Sequence, residues 1–107
     1  MATLSTHVLD TSAGRPAAGV PITLQTAAGE ELGSAVTDSD GRAAEIGAGG
    51  LAAGDYRLRF DSGAYFGALG VAGFYPEVVV TFTVAGDEHF HVPLLLSPFG
   101  YSTYRGS

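Results

Sequence analysis

In the stretch His89-Phe90-His91-Val92-Pro93-Leu94-Leu95-Leu96, two kinds of residue take turns. Successive side chains of an extended chain point to opposite faces. Phe90, Val92, Leu94 and Leu96 therefore share one face, and His89, His91, Pro93 and Leu95 share the other. A helix would scatter the apolar four around its circumference. The segment reads as a strand with an apolar row in a core and a histidine row outside. The carbon surface of Pro93 and Leu95 beside His91 suggests a partly apolar pocket on that outer face, covered by another subunit.

Moving outward from this strand, the same period of two recurs. Val20, Ile22 and Leu24 alternate with Pro21, Thr23 and Gln25, and Tyr56, Leu58 and Phe60 alternate with Arg57, Arg59 and Asp61. Val78, Val80, Phe82 and Val84 make another apolar row. Near the start, Leu4, Thr6 and Val8 lie opposite Ser5, His7 and Leu9. Turn formers separate these runs, among them Ser12–Pro16, Ala28-Gly29, Asp38–Gly41, Gly49-Gly50, Ala85–Asp87 and Ser97–Gly100. Strands are expected at 4–10, 20–27, 32–37, 43–47, 55–61, 78–85, 89–96 and 101–105. Many short strands without helical crossovers point to an all-β, two-sheet antiparallel sandwich. Residues 63–73 are the one helical candidate, and four glycines in those eleven residues make it marginal.

The chain has 107 residues, which fits one domain spanning 1–107. Five basic residues against eleven acidic give a formal net charge of −6. That balance argues against a nucleic-acid partner, which needs a clustered basic face. No cysteine is present, which excludes a disulfide scaffold or a thiolate metal site. No apolar stretch approaches the roughly 20 residues that cross a bilayer, so no membrane partner is expected. Residues 1–6 lack a basic segment followed by an apolar one, and the cytoplasm is the expected location.

The chemistry-bearing residues are few. All three histidines, His7, His89 and His91, fall in strands. A zinc site built from them is the metal alternative, but no Asp, Glu or Cys spacing reinforces it. In the turn Thr37-Asp38-Ser39-Asp40-Gly41-Arg42, the two aspartates lack the rest of a calcium-loop pattern. Arg42 supplies a fixed positive charge with planar donors, suited either to solubility or to an anion or carbonyl. There is no G-x-S-x-G nucleophile elbow and no phosphate-binding glycine loop. The residues alone yield a candidate set of His7, Arg42, His91 and Tyr104 around a pocket closed by association.

Several motifs together carry a more specific signal. They are Leu4-Ser5-Thr6-His7-Val8-Leu9-Asp10, Asp40-Gly41-Arg42, Phe74-Tyr75-Pro76-Glu77-Val78, the segment His89–Pro98, and the terminal Gly100–Ser107 ending in Tyr104-Arg105-Gly106-Ser107. In these the chain resembles the 5-hydroxyisourate hydrolase branch of the transthyretin-like family, nearly end to end. The resemblance implies the transthyretin-like (prealbumin-like) sandwich with one short helix. It also implies a homotetramer, a dimer of dimers, with sites at the dimer–dimer interface.

The activity implied is hydrolysis of the small molecule 5-hydroxyisourate at its N1–C6 bond, in urate breakdown. The product would be 2-oxo-4-hydroxy-4-carboxy-5-ureidoimidazoline. The family's catalytic residues carry over to His7, Arg42, His91 and Tyr104. Substrate contacts fall to His7, Arg42, Tyr104 and Ser102, with His89, Arg105 and Ser107 as secondary candidates. Neither cofactor nor metal is implied.

Overall fold

A computed structural model of the chain describes residues 1–44, 46, 47 and 49–107. Its elements are β1 (Thr3–Asp10), β2 (Arg15–Pro16), β3 (Pro21–Thr26), β4 (Glu31–Val36), β5 (Arg42–Ala43), β6 (Gly54–Phe60), α1 (Ser62–Ala68), β7 (Val78–Val84), β8 (His89–Ser97) and β9 (Gly100–Thr103). One sheet has the order β2–β1–β8–β9, with β5 also paired to β1, and the other has the order β4–β3–β6–β7. The apolar rows meet between them. Leu4, Val8, Phe90, Val92, Leu94 and Leu96 from one sheet join a core with Ile22, Leu24, Leu58, Phe60, Val78 and Val84 from the other. Val80 and Phe82, in the same β7 row, pack against it while partly exposed.

Among the described residues the strand pairs are antiparallel with one exception. β1 and β8 run parallel, from Thr3 beside His89 to Asp10 beside Leu96. Hairpins force antiparallel neighbours, but β8 reaches β1 only after the chain has visited the other sheet, so no hairpin constrains their direction. β2, read from sequence as part of a turn, folds back on the end of β1 at Leu9 and Asp10. The strand expected over 43–47 is present as β5 only; Glu45 within it lies outside the described residues. β9 stops at Thr103 rather than 105.

The glycine-rich helix forms because its neighbours fix it. Asp61 caps it, accepting from the Ala64 amide at 3.0 Å. Tyr65 and Phe66 are buried, and the Tyr65 hydroxyl donates to Asp10 at 2.7 Å. Tertiary contacts of this kind supply what weak helix propensity does not. Among the described residues, no helix is long and apolar enough to cross a membrane.

Asp10 is the anchor at this end of the sandwich. Its carboxylate also accepts from the Ser12 hydroxyl at 2.6 Å and from the Ser12 and Ala13 amides at 3.1 and 3.0 Å. Burial alone would raise its pKa, but these bonds and that from Tyr65 outweigh burial and hold it below the usual carboxylate value. Burial first, and then the bond to Asp10 and its charge, push the Tyr65 hydroxyl up to about 12. A depressed carboxyl stabilises the fold above its unfolded pKa, near 3.9, and that contribution is lost as pH falls through the folded value. Tyr65→Phe removes one donor to the charged carboxylate and should cost about 1.5–3 kcal/mol at pH 7. Urea unfolding checks this; the cost should shrink below about pH 4, and a cost independent of pH would refute the assignment.

Candidate active site

Pairing across the outer face of the β1–β8 sheet builds the site. His7 lies beside Pro93 in the β1–β8 register, and Arg42 of β5 lies opposite His7. Beyond β8 the C-terminal segment runs antiparallel. Leu94 pairs with Thr103, and His91 bridges to Gly106. Both pairs belong to one register, which brings Tyr104 opposite Pro93. A cross-strand row therefore reads Arg42, His7, Pro93, Tyr104, and the adjacent row reads Ser5, His91, Gly106. Paired strands lie about 4.8 Å apart, so the longer row spans roughly 15 Å.

Pro93 sits where a proline does least harm. The carbonyls of His91 and Pro93 accept from the Gly106 amide at 2.9 Å and the Thr103 hydroxyl at 2.7 Å. That edge of β8 thus faces the C-terminal segment. The ladder breaks at the Pro93–Tyr104 position, where proline has no N–H to give.

The turn before β5 positions two groups at once. The Asp38 carboxylate accepts from the Asp40 and Arg42 amides at 2.9 and 3.0 Å. The Asp38 amide donates to the Arg42 carbonyl at 2.9 Å, and the Gly41 carbonyl accepts from the Val8 amide at 2.7 Å. Gly41 has φ +75°, and a Cβ there would run into the Val8 carbonyl and Pro16. The turn sets Arg42 opposite His7 and aims the Asp40 carbonyl at His7 Nε2, 2.8 Å away. A carbonyl only accepts, so Nε2 carries the proton and neutral His7 keeps Nδ1 as its unprotonated nitrogen.

His91 is half-buried, with Nδ1 2.8 Å from the Ser5 hydroxyl. Burial first, then the positive charge of Arg42 and the neighbouring His7 and His89, hold its pKa below the usual value, with the Ser5 backbone pulling the other way. Gly106 lies flat against the ring; an added Cβ would stand 2.5 Å from His91 Cδ2 and 3.2 Å from Pro93 Cγ.

The remaining candidates divide. Tyr104 is 59% exposed at the end of its row. Ser102 pairs with Leu95 on the same outer face, one row further along. His89 lies beside Thr3 on that face, beyond His91. Arg105 is turned away: its guanidinium lies 4.8 Å over the Phe90 ring and 3.1 Å from the Glu88 carboxylate. Ser107 is exposed at the last position. Among the described residues, no three His, Asp or Glu side chains are grouped to hold a metal ion.

A family model described as the HIUase/Transthyretin family matches residues 4–106. The chain belongs to that family. Within the HIUase/Transthyretin family it is 47% identical to the 5-hydroxyisourate hydrolase of Caulobacter vibrioides, over the whole of both chains. It is 39% identical to the probable 5-hydroxyisourate hydrolase of Schizosaccharomyces pombe, over 97% of this chain and 90% of that one. The solved 5-hydroxyisourate hydrolase of Klebsiella pneumoniae superposes with TM-score 0.93 at 45% identity, each chain fully covered. Sea bream transthyretin, solved with thyroxine, gives TM-score 0.88 at 33% identity, over 97% of this chain and 94% of that one. The fold is common to both kinds of relative, so function has to be argued from the site.

Sequence reading passed over Ser5, Asp38, the Asp40 carbonyl and Gly106 as working parts. Alternation puts Ser5 on the His7 face, but only the parallel register shows that it touches His91.

His91 should stay neutral at pH 7 and titrate below 6.5, which histidine NMR titration measures. Such a group stabilises the fold above its unfolded pKa, and that contribution is lost as pH falls through the lower folded value. Arg42→Gln should raise the His91 pKa part of the way back, because burial persists; no change would remove Arg42 from its surroundings. Gly106→Ala should shift the His91 ring signals while leaving those of His7 in place.

Proposed function

We propose that the chain hydrolyses 5-hydroxyisourate, opening the N1–C6 bond to give 2-oxo-4-hydroxy-4-carboxy-5-ureidoimidazoline. The observation that carries this reading is the convergence of Arg42, His7, His91 and Tyr104 in two adjacent rows of one sheet face. Full-length relatives named for this activity support it.

Water attacks the C6 carbonyl and passes a proton to the unprotonated nitrogen of His7, which returns it to solvent after the ring has opened. The tetrahedral intermediate carries negative charge on oxygen, which the Arg42 guanidinium stabilises; a group that stays protonated acts there as an electrostatic clamp. As the C6–N1 bond breaks, the leaving nitrogen takes a proton from His91 Nε2. Tyr104, and Ser102 one row away, orient the heterocycle through their hydroxyls, and the Tyr104 ring adds an aromatic wall. Water is the nucleophile, and Ser102 and Ser107 serve as hydrogen-bond partners. No cofactor takes part.

The face is open in the isolated chain, with His7 and His91 half-buried and Arg42 and Tyr104 exposed. A homotetramer, a dimer of dimers that closes this face of one subunit against that of another, would exclude bulk water and strengthen each charge interaction. The cytoplasm is the proposed setting.

The test is decay of freshly made 5-hydroxyisourate, with and without protein. We expect a protein-dependent rate well above the spontaneous one. His7→Ala and His91→Ala should each lower turnover by about 10²–10⁴-fold, the usual contribution of a positioned acid or base, with circular dichroism and assembly unchanged. Arg42→Lys keeps the charge but loses the planar fork, and should lower kcat/KM. Binding without ring opening would replace this reading with that of a carrier.

A further inference from the structure

A second line of polar groups runs along the same outer face, beside the proposed catalytic row. The Thr3 hydroxyl lies 2.6 Å from His89 Nδ1, His89 Nε2 lies 2.8 Å from the Ser5 hydroxyl, and that hydroxyl lies 2.8 Å from His91 Nδ1. Three hydrogen bonds thus run from Thr3 to His91, two of them joining the exposed His89 to the half-buried His91 without a gap. The parallel pairing of β1 with β8 makes this possible. It sets Thr3 beside His89 and Ser5 beside His91, so that the Ser5 hydroxyl falls between the two rings.

A serine hydroxyl has one proton to donate. When Ser5 donates to His91 Nδ1, it accepts from His89 Nε2, and each neutral ring carries its proton on Nε2. When the chain of bonds reverses, each neutral ring carries its proton on Nδ1. The two histidines are therefore tied to the same tautomer.

We propose that Thr3, His89 and Ser5 form a proton relay that sets the tautomer of His91 and resupplies its proton in each turnover. This rests on the reading of His91 as the acid that protonates the leaving nitrogen. As His91 Nε2 gives up its proton, Nδ1 takes the Ser5 proton, Ser5 takes the His89 Nε2 proton, and His89 Nδ1 takes one from Thr3, which solvent replaces. One proton enters from water and one reaches the leaving nitrogen, so no charge is left on any relay member. When product leaves, Nε2 takes a proton from solvent, the chain of bonds runs back, and Thr3 releases one proton to solvent.

The charged and titratable groups facing His91 are Arg42 on β5, His7 on β1, His89 on β8 and Tyr104 on the C-terminal segment. Burial and, after it, Arg42 disfavour a charged His91 ring. Passing a proton through the ring, in either direction, avoids that charged state, whereas a doubly protonated ring acting as the acid does not. Thr3, Ser5 and His89 are positioning residues in this scheme, acting on substrate only through His91.

Two measurements test the relay, one of them independent of activity. Nitrogen-15 NMR of the imidazoles at alkaline pH should find His89 and His91 in the same tautomer, and Ser5→Ala should break that match. Opposite tautomers in the unmodified protein would overturn the relay, because Ser5 would then be accepting from both rings. In the 5-hydroxyisourate assay, Ser5→Ala and His89→Gln should lower kcat by about tenfold or more with KM little changed. Ser5→Thr, which keeps the hydroxyl, should recover most of the rate. Unchanged kcat in both Ser5→Ala and His89→Gln, or no recovery in Ser5→Thr, would also overturn it. An unmodified protein without hydrolytic activity would instead sink the functional reading, leaving the tautomer measurement to decide the relay.

Discussion

Parallel pairing of β1 with β8 fixes which side chains can meet on the outer face, because the two strands share neither a hairpin nor a loop that would set their register independently. With Thr6 beside Val92 and Val8 beside Leu94, the apolar rows of both strands turn inward together. A slip of one residue would bury histidines and expose leucines, so the core enforces the register. The outer rows then follow without further specification. His7 falls beside Pro93, and Ser5 beside His91. A buried crosslink strengthens the same pairing: the Thr6 hydroxyl donates to the Val92 carbonyl.

The polar groups of the site are held by backbone more than by one another. His7 takes its orientation from the Asp40 carbonyl, and His91 has the Gly106 backbone against its ring. Arg42 takes its place from a turn whose carboxylate, Asp38, is consumed in bracing it. The Asp38 carboxylate therefore works as a scaffold, which is how aspartates in turns ordinarily act. Supports of this kind suit a site that has to present positive and neutral donors together without their collapsing into ion pairs.

Much of the fold was readable in the sequence, because period-two rows such as Phe90–Leu96 and Val78–Val84 state their own inward face. The short helix was harder. Its glycines argue against it, and the compensating bond from Tyr65 to Asp10 spans 55 residues of sequence. The site was legible in part for a similar reason. Alternation puts His7, His91 and Tyr104 on outer faces, the turn before β5 marks Arg42, and motif resemblance gives the four their roles. Alternation could not say that β1 and β8 are neighbours, so Ser5 looked like any exposed strand serine. Alternation did separate Tyr104 from Arg105, which sit side by side in the chain and project to opposite faces. Gly106 gave no signal of its own, since the reason for a glycine there is the ring packed against it.

The Asp38–Arg42 turn leaves this site with a shared dependence. One short loop carries the guanidinium and also holds the proton on His7, so both depend on the same few backbone amides. Protonating His7 would strengthen its bond to the Asp40 carbonyl, as charge-assisted bonds are stronger, and so draw that loop closer as positive charge builds nearby. Sequence drift in the loop cannot retune one group and spare the other, and the two must evolve as a unit.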